Sequence, residues 1–175
     1  MAVYTKKTRD VPISNVIALV DVKRALNILD DEDDDEIQDL IDVSFDLAET
    51  YCHRCFTTNT VDLERYDSKT SFYLPFGENV VITSVKADDT PVDVADYTYS
   101  AVSDIFSLDS ITSYSKLEIT YTCGFITLPP SISRGIKYLV STMFNSGQDF
   151  VAGMDIKNLP LRSTNLLDAE KHHVI

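Results

Sequence analysis

The stretch from Asp30 to Phe56, DDEDDDEIQDLIDVSFDLAETYCHRCF, decides how the rest of the chain is read. Seven acidic residues in a row, Asp30 to Glu36, run into an amphipathic segment. Ile37, Leu40, Ile41, Ser44, Ala48 and Tyr51 recur at spacings of three and four, which places them on one face of a helix. Val43 and Leu47 widen that stripe, so the helix is expected to pack against more than one partner. From Asp35 to Arg54 it would be about 30 Å long. The acidic run puts negative charge at the first turn, where the helix dipole favours it, and offers several N-caps. Residues 30–49 hold eleven carboxylates and no Lys or Arg, so they carry −11 of the chain's net −13. The remaining 17 acids and 15 bases nearly cancel.

Upstream, residues 16–29 read as a shorter helix, with Asp21 as its cap and Val22, Ala25, Leu26 and Leu29 as its stripe. Residues 1–15 show no sustained period and are interrupted by Pro12; with Tyr4, Lys6, Lys7 and Arg9 they are expected to form a flexible basic arm. Downstream, over 57–123, the period changes from 3.6 to 2 and β-branched and aromatic residues dominate. Strands are expected at Thr57–Tyr66, Ser71–Leu74, Val80–Lys86, Tyr97–Ala101, Ile105–Leu108 and Lys116–Cys123, with turns at Pro75 to Gly77, Asp88-Asp89-Thr90-Pro91 and Asp109-Ser110. In the last strand Leu117, Ile119, Tyr121 and Cys123 alternate with polar residues, the pattern of an antiparallel sheet with one wet face.

Gly124 ends that strand, and Pro129-Pro130 opens a helix over 130–146 whose stripe is Ile132, Ile136, Leu139, Val140, Met143 and Phe144. Gly135 inside it costs about 1 kcal/mol relative to Ala, which suggests close approach of another backbone there. Residues 151–175 form a C-terminal docking arm; Val151 to Lys157 read as short strand or loop. Leu159, Pro160, Leu161, Leu166 and Leu167 lack a local partner and are candidate contacts with a neighbouring protein. The expected fold class is α+β: a small helical core of about three helices with an inserted antiparallel β region (57–123) and an extended C-terminal arm. Residues 16–150 are expected to make one domain.

The 175 residues suit one domain of ordinary size, and 44% hydrophobic content can build its core. Mean hydropathy of −0.05 and the lack of a long apolar run exclude a membrane span, and no apolar segment follows the basic N-terminus as a secretory signal requires. Net charge of −13 argues against general adhesion to nucleic acid or anionic membrane. Three cysteines, an odd number, fit free thiols in a reducing compartment.

Cys52-His53-Arg54-Cys55 has redox or zinc spacing, yet it lies at a helix C-terminus, where the dipole disfavours the thiolate, and no second ligand pair exists at matching spacing. Cys123 falls on a buried strand face. No register of Asp30–Glu36 gives both the Gly and the Glu of an EF-hand loop. His172 and His173 read as an exposed tail. Gly-x-Ser-x-Gly, a P-loop, His-Glu-x-x-His and a dinucleotide turn are all lacking. A non-enzyme without cofactor or metal is expected.

The order of these pieces resembles the gp6-like head–tail connector (adaptor) proteins of tailed bacteriophages, over roughly residues 17–168. The carriers are Val20-Asp21-Val22-Lys23-Arg24-Ala25-Leu26-Asn27-Ile28 with the following acids, Ala48-Glu49-Thr50-Tyr51-Cys52-His53-Arg54, Ile119-Thr120-Tyr121-Thr122-Cys123-Gly124-Phe125, Leu128-Pro129-Pro130 and Asn158-Leu159-Pro160. Similar proteins more often have Gly than His53, and Ala or Leu in place of Cys55. The resemblance implies a virion protein of the head–tail interface, assembled in the host cytoplasm. It implies a homo-oligomeric ring, commonly of twelve copies, beneath the portal protein. Such a ring extends the DNA channel and docks the downstream tail or stopper protein. DNA would pass without specific binding, and Asp31, Glu32, Asp33, Asp34, Asp35, Glu36, Asp39 and Asp42 are the candidate channel surface. The alternative from another class is an acidic binding protein, a DNA mimic that occupies a basic groove of a DNA-binding partner.

Overall fold

Alternation makes Leu117–Cys123 (β8) the centre of a sheet: Leu117, Ile119, Tyr121 and Cys123 are buried, with half-exposed residues between them. The computed structural model describes residues 2–146 and 161–171. In it, β8 pairs antiparallel with Asn59–Arg65 (β2) on one side and with Val81–Ala87 (β4) on the other. Val3–Arg9 (β1) and Thr90–Pro91 (β5) complete a five-stranded sheet in the order β1-β2-β8-β4-β5. A second, three-stranded sheet joins Ser71–Tyr73 (β3), Ile105–Leu108 (β7) and Tyr97–Ser100 (β6), with β7 in the middle. Every pairing is antiparallel. The inward residues of both sheets share one core, in which Phe106 packs between Phe72 and Tyr97 at centroid distances of 5.5 and 5.4 Å. Buried Tyr121 donates its hydroxyl to the Pro75 carbonyl at 2.7 Å, so its polar end is satisfied.

The predicted strands thus appear within a residue or two of their expected positions, and the N-terminal segment does not behave as expected. Residues 1–15 are no flexible arm: β1 pairs with β2 along seven consecutive residues, Val3↔Arg65 to Arg9↔Asn59. Its side chains are almost all exposed, so it has no apolar alternation to read; the backbone ladder with β2 holds it. One domain over 16–150 is also too simple. The chain forms two compact units, a β unit of residues 2–11 and 55–126 and a helical unit of residues 12–54, 127–146 and 161–171.

In the helical unit, a 3₁₀ turn at Ile13–Asn15 precedes Leu19–Leu26 (α1), which is shorter than the predicted 16–29. Its N-cap is Ala18, and Asp21 lies in the first turn as a favourable charge rather than a cap. Asn27 ends it in the left-handed conformation, φ 60°. Asp34–Cys52 (α2) and Pro130–Ser146 (α3) match their predicted spans closely, and Leu161–Leu167 (α4) is a fourth helix inside the C-terminal arm. The core of this unit includes Ile37, Ile41, Phe45, Ala48, Ile132, Ile136, Leu139 and Val140, all fully buried. Phe45 is missing from the predicted stripe although it lies beside Ser44 and widens it inward.

His53 ends α2 at φ 53°, the left-handed position that glycine occupies without steric cost. This accounts for the glycine that similar sequences prefer there. His53→Gly should raise stability by about 0.5–1 kcal/mol, read as a rise of roughly 2 °C in Tm; an unchanged or lower Tm would contradict it.

Candidate functional site

α2 separates its carboxylates from its apolar face by helical geometry. Asp35, Asp39, Asp42 and Asp46 are all exposed and follow one another at spacings of four, three and four residues. They form a stripe along the solvent side of the helix, about 16 Å from end to end. Like charges at these spacings cost an isolated helix roughly 0.2–0.5 kcal/mol per pair, which the helix dipole at Asp35 and the Gln38 hydrogen bond to Asp42 offset in part. The period could have shown this stripe, but the density of acids around it hides Asp46, which was not among the candidate residues.

The other candidates take different positions. Asp31 and Glu32 are exposed ahead of the helix, Glu36 is exposed in its first turn, and Asp33 and Asp34 are half-buried. Asp33 occupies the N-cap position, yet its side chain caps no amide. Lys23 of α1 sits 2.7 Å from Asp31 and 2.5 Å from Asp34. Hydrogen bonding to these carboxylates, Asp31 first, raises the Lys23 pKa, and the same contact lowers that of Asp31. Asp42 accepts a hydrogen bond from Gln38 at 3.1 Å. Glu49, the last acid of the run, leaves the surface altogether at 2% exposure.

The described part of the C-terminal arm docks on its own helices. Leu167 is fully buried, and a Cβ placed on Gly135 would stand 3.1 Å from its Cδ2, so the glycine in α3 makes room for α4. Tyr51 donates to Asp168 at 2.5 Å, Cys52 to the Leu167 carbonyl at 3.5 Å and Ser131 to Glu170 at 2.9 Å. Leu167 is therefore taken up within the chain and corrects its reading as a contact for another protein. Leu166 is half-buried beside Pro130, Ser131 and Arg134. Leu161 opens α4. Leu159, Pro160 and the predicted strand or loop over Val151 to Lys157 lie outside the described residues, as do His172 and His173.

The cysteines have the environment of packing residues. Burial, followed by the nearby Glu170 charge, pushes the Cys52 thiol up to about 12. Cys55 and Cys123 are buried in the core of the β unit. Among the described residues no group of three His, Cys, Asp or Glu side chains is arranged to hold a metal ion.

Residues 16–90 match the family model of the phage gp6-like head-tail connector proteins. No curated protein matches the chain. Three solved structures have the same fold. The neck of an empty gene transfer agent (GTA) particle, computed with C6 symmetry, contains a chain with TM-score 0.74 at 13% identity, covering 98% of this chain and 97% of that one. The virion of a native GTA particle gives TM-score 0.74 at 14% identity, covering 98% and 96%. The neck of a native GTA particle, computed with C12 symmetry, gives TM-score 0.73 at 13% identity, covering 98% and 97%. Residues 16–90, which run from the helical unit to β5, are thus similar to the phage gp6-like head-tail connector proteins, and the chain shares its fold with chains of the GTA particles.

Proposed function

We propose that copies of this chain close into a ring beneath a portal protein in a virion neck, lengthen the DNA channel and offer a docking surface to the next tail component. The observation that carries the channel role is the stripe Asp35–Asp39–Asp42–Asp46, which α2 exposes along its solvent side. Facing a lumen, these carboxylates repel phosphate, so DNA passes without the counterion-driven adhesion of basic surfaces. Asp31, Glu32 and Glu36 extend the same surface, whereas Lys23 offsets Asp34 and part of Asp31. The symmetry of the GTA necks favours a closed ring, with twelve copies as the expected number. Leu159, Pro160, Leu161 and Leu166 remain the candidate contacts to portal or neighbour. The role needs no chemistry from the chain, and the site of action is the head–tail interface of a particle assembled in the host cytoplasm.

Replacing Asp35, Asp39, Asp42 and Asp46 together with Asn tests this directly. Particles should assemble with the usual number of connector copies, while DNA ejection slows several-fold, most at low salt where phosphate interactions are least screened. Circular dichroism and the melting temperature of the variant should match the wild type, which separates a change in ejection from a change in folding. Unchanged ejection would remove the channel role, and particles lacking the connector would show that the stripe faces a protein.

A further inference from the structure

The five-stranded sheet ends in edges of opposite charge. β1, at one edge, carries exposed Lys6 and Lys7 and half-buried Arg9, against Asp10 just past its end and Asp62 of β2 opposite Lys6, so the edge strand itself keeps an excess of positive charge. β5, at the other edge, is flanked by Asp88, Asp89 and Asp93, all exposed, which outnumber exposed Lys86, the residue of β4 that pairs with Pro91. Lys116 approaches this second edge at 4.0 Å from Asp89, but it sits 2.7 Å from Glu118, which holds it on the sheet face.

Both edges are fixed by the fold. β1 is laddered to β2 over its whole length. On the other side, Asp88 and Asp89 take the positive φ values of 48° and 62° that a two-residue hairpin turn requires. The Asp88 carboxylate accepts from the backbone amides of Ser115 at 2.9 Å and Lys116 at 2.8 Å, which ties the turn to the start of β8. Each edge also exposes apolar surface, Tyr4 at 62% on one and Val94 at 73% on the other.

We propose that this polarity joins copies of the chain head to tail, the β1 edge of one copy against the β5 edge of the next. The inference rests on the ring reading and names its contact. Two β1 edges brought together would oppose Lys6, Lys7 and Arg9 to their own kind, and two β5 edges would do the same with aspartates, so pairing of identical surfaces is repelled. Pairing of unlike edges is attracted, and a contact between unlike surfaces is the kind that rotation closes into a ring. Pro91 gives β5 no amide to donate, so the contact is made by side chains, with Tyr4 and Val94 inside a charged rim, rather than by a continued sheet.

Charge exchange in the full-length protein tests the contact. Native mass spectrometry and sedimentation across a salt series should show wild-type self-association that weakens as salt rises. Lys6→Glu with Lys7→Glu, and separately Asp89→Lys with Asp93→Lys, should each weaken it at least tenfold. A one-to-one mixture of the two variants should assemble again, because each now supplies the edge the other lacks. Wild-type rings with both variants assembling equally well would overturn the contact and leave the ring reading standing. So would a mixture that stays dissociated although both variants keep the wild-type circular dichroism. A wild-type chain that is monomeric at every concentration would overturn the ring reading and this contact with it.

Discussion

Gly124→Ala should destabilise the protein by about 4 kcal/mol or more, among the largest effects a single methyl group can have. Gly124 has φ +130°, and a Cβ built there would lie 1.9 Å from the carbonyl oxygen of Thr57. Neither partner can move away cheaply. The Gly124 amide donates to Glu78 at 2.8 Å, and its carbonyl accepts from Asn79 at 3.2 Å. Thr57 in turn leads directly into β2, which is paired on both sides. Backbone strain of about 1–3 kcal/mol therefore adds to an overpacking cost of similar size. Urea titration should show the loss as a lower midpoint with little change in slope. A variant within 1 kcal/mol of wild type would mean that the Gly124 loop relaxes in a way its hydrogen bonds argue against. The glycine in the Tyr121-Thr122-Cys123-Gly124 motif thus has a steric reason.

The second large effect belongs to Arg65 and Asp67. Their side chains are 8% and 9% exposed, and they meet as a fork, Nε to Oδ1 at 3.1 Å and Nη2 to Oδ2 at 2.5 Å. The guanidinium also lies 3.8 Å from the centroid of the Phe72 ring. Tyr114 donates to Asp67 at 3.3 Å and to the Lys69 carbonyl. Removing one partner strands a buried charge, so Asp67→Asn or Arg65→Met should each cost about 3–5 kcal/mol. The double change Arg65→Met with Asp67→Leu should recover most of that, because two apolar groups need no compensation. Additive losses in this cycle would contradict the coupling.

The pair also sets an acid limit. The hydrogen bonds from Arg65 hold the Asp67 carboxyl below the ordinary carboxylate range. A folded pKa below the unfolded one means that the unfolded chain binds more protons. The pair's stability is therefore complete above about pH 4, where a free Asp titrates, and is lost as pH falls through the lower folded value. Asp67→Asn should flatten the acid limb of the stability curve; an acid limb as steep as that of wild type would show that other carboxylates set it.

Much of this fold is legible along the chain because its elements have clean periods. Ile37, Leu40, Ile41, Ser44 and Ala48 mark α2, and Leu117 to Cys123 mark β8, because one face of each must be dry and the other wet. Gly135 also signalled a close approach in advance, although not that Leu167 makes it. Where the period carries no information the sequence is silent. β1 has no buried face, and the partner strand that makes it a strand lies some sixty residues away. Arg65 resembles any surface cation until strand alternation turns it inward with Asn59, Val61 and Leu63, and then it needs Asp67.

The sequence by itself determined the order of the elements from α1 to α3 apart from β5, the concentration of charge on one helix and the family pattern, since each depends on residue identity and local spacing. Only the tertiary structure decided that the N-terminus is an edge strand, that Leu167 is buried in its own chain and that the sheet ends in opposite charges. Those depend on pairings between distant segments, which the free energy of packing and of satisfied backbone groups selects and which no local pattern encodes.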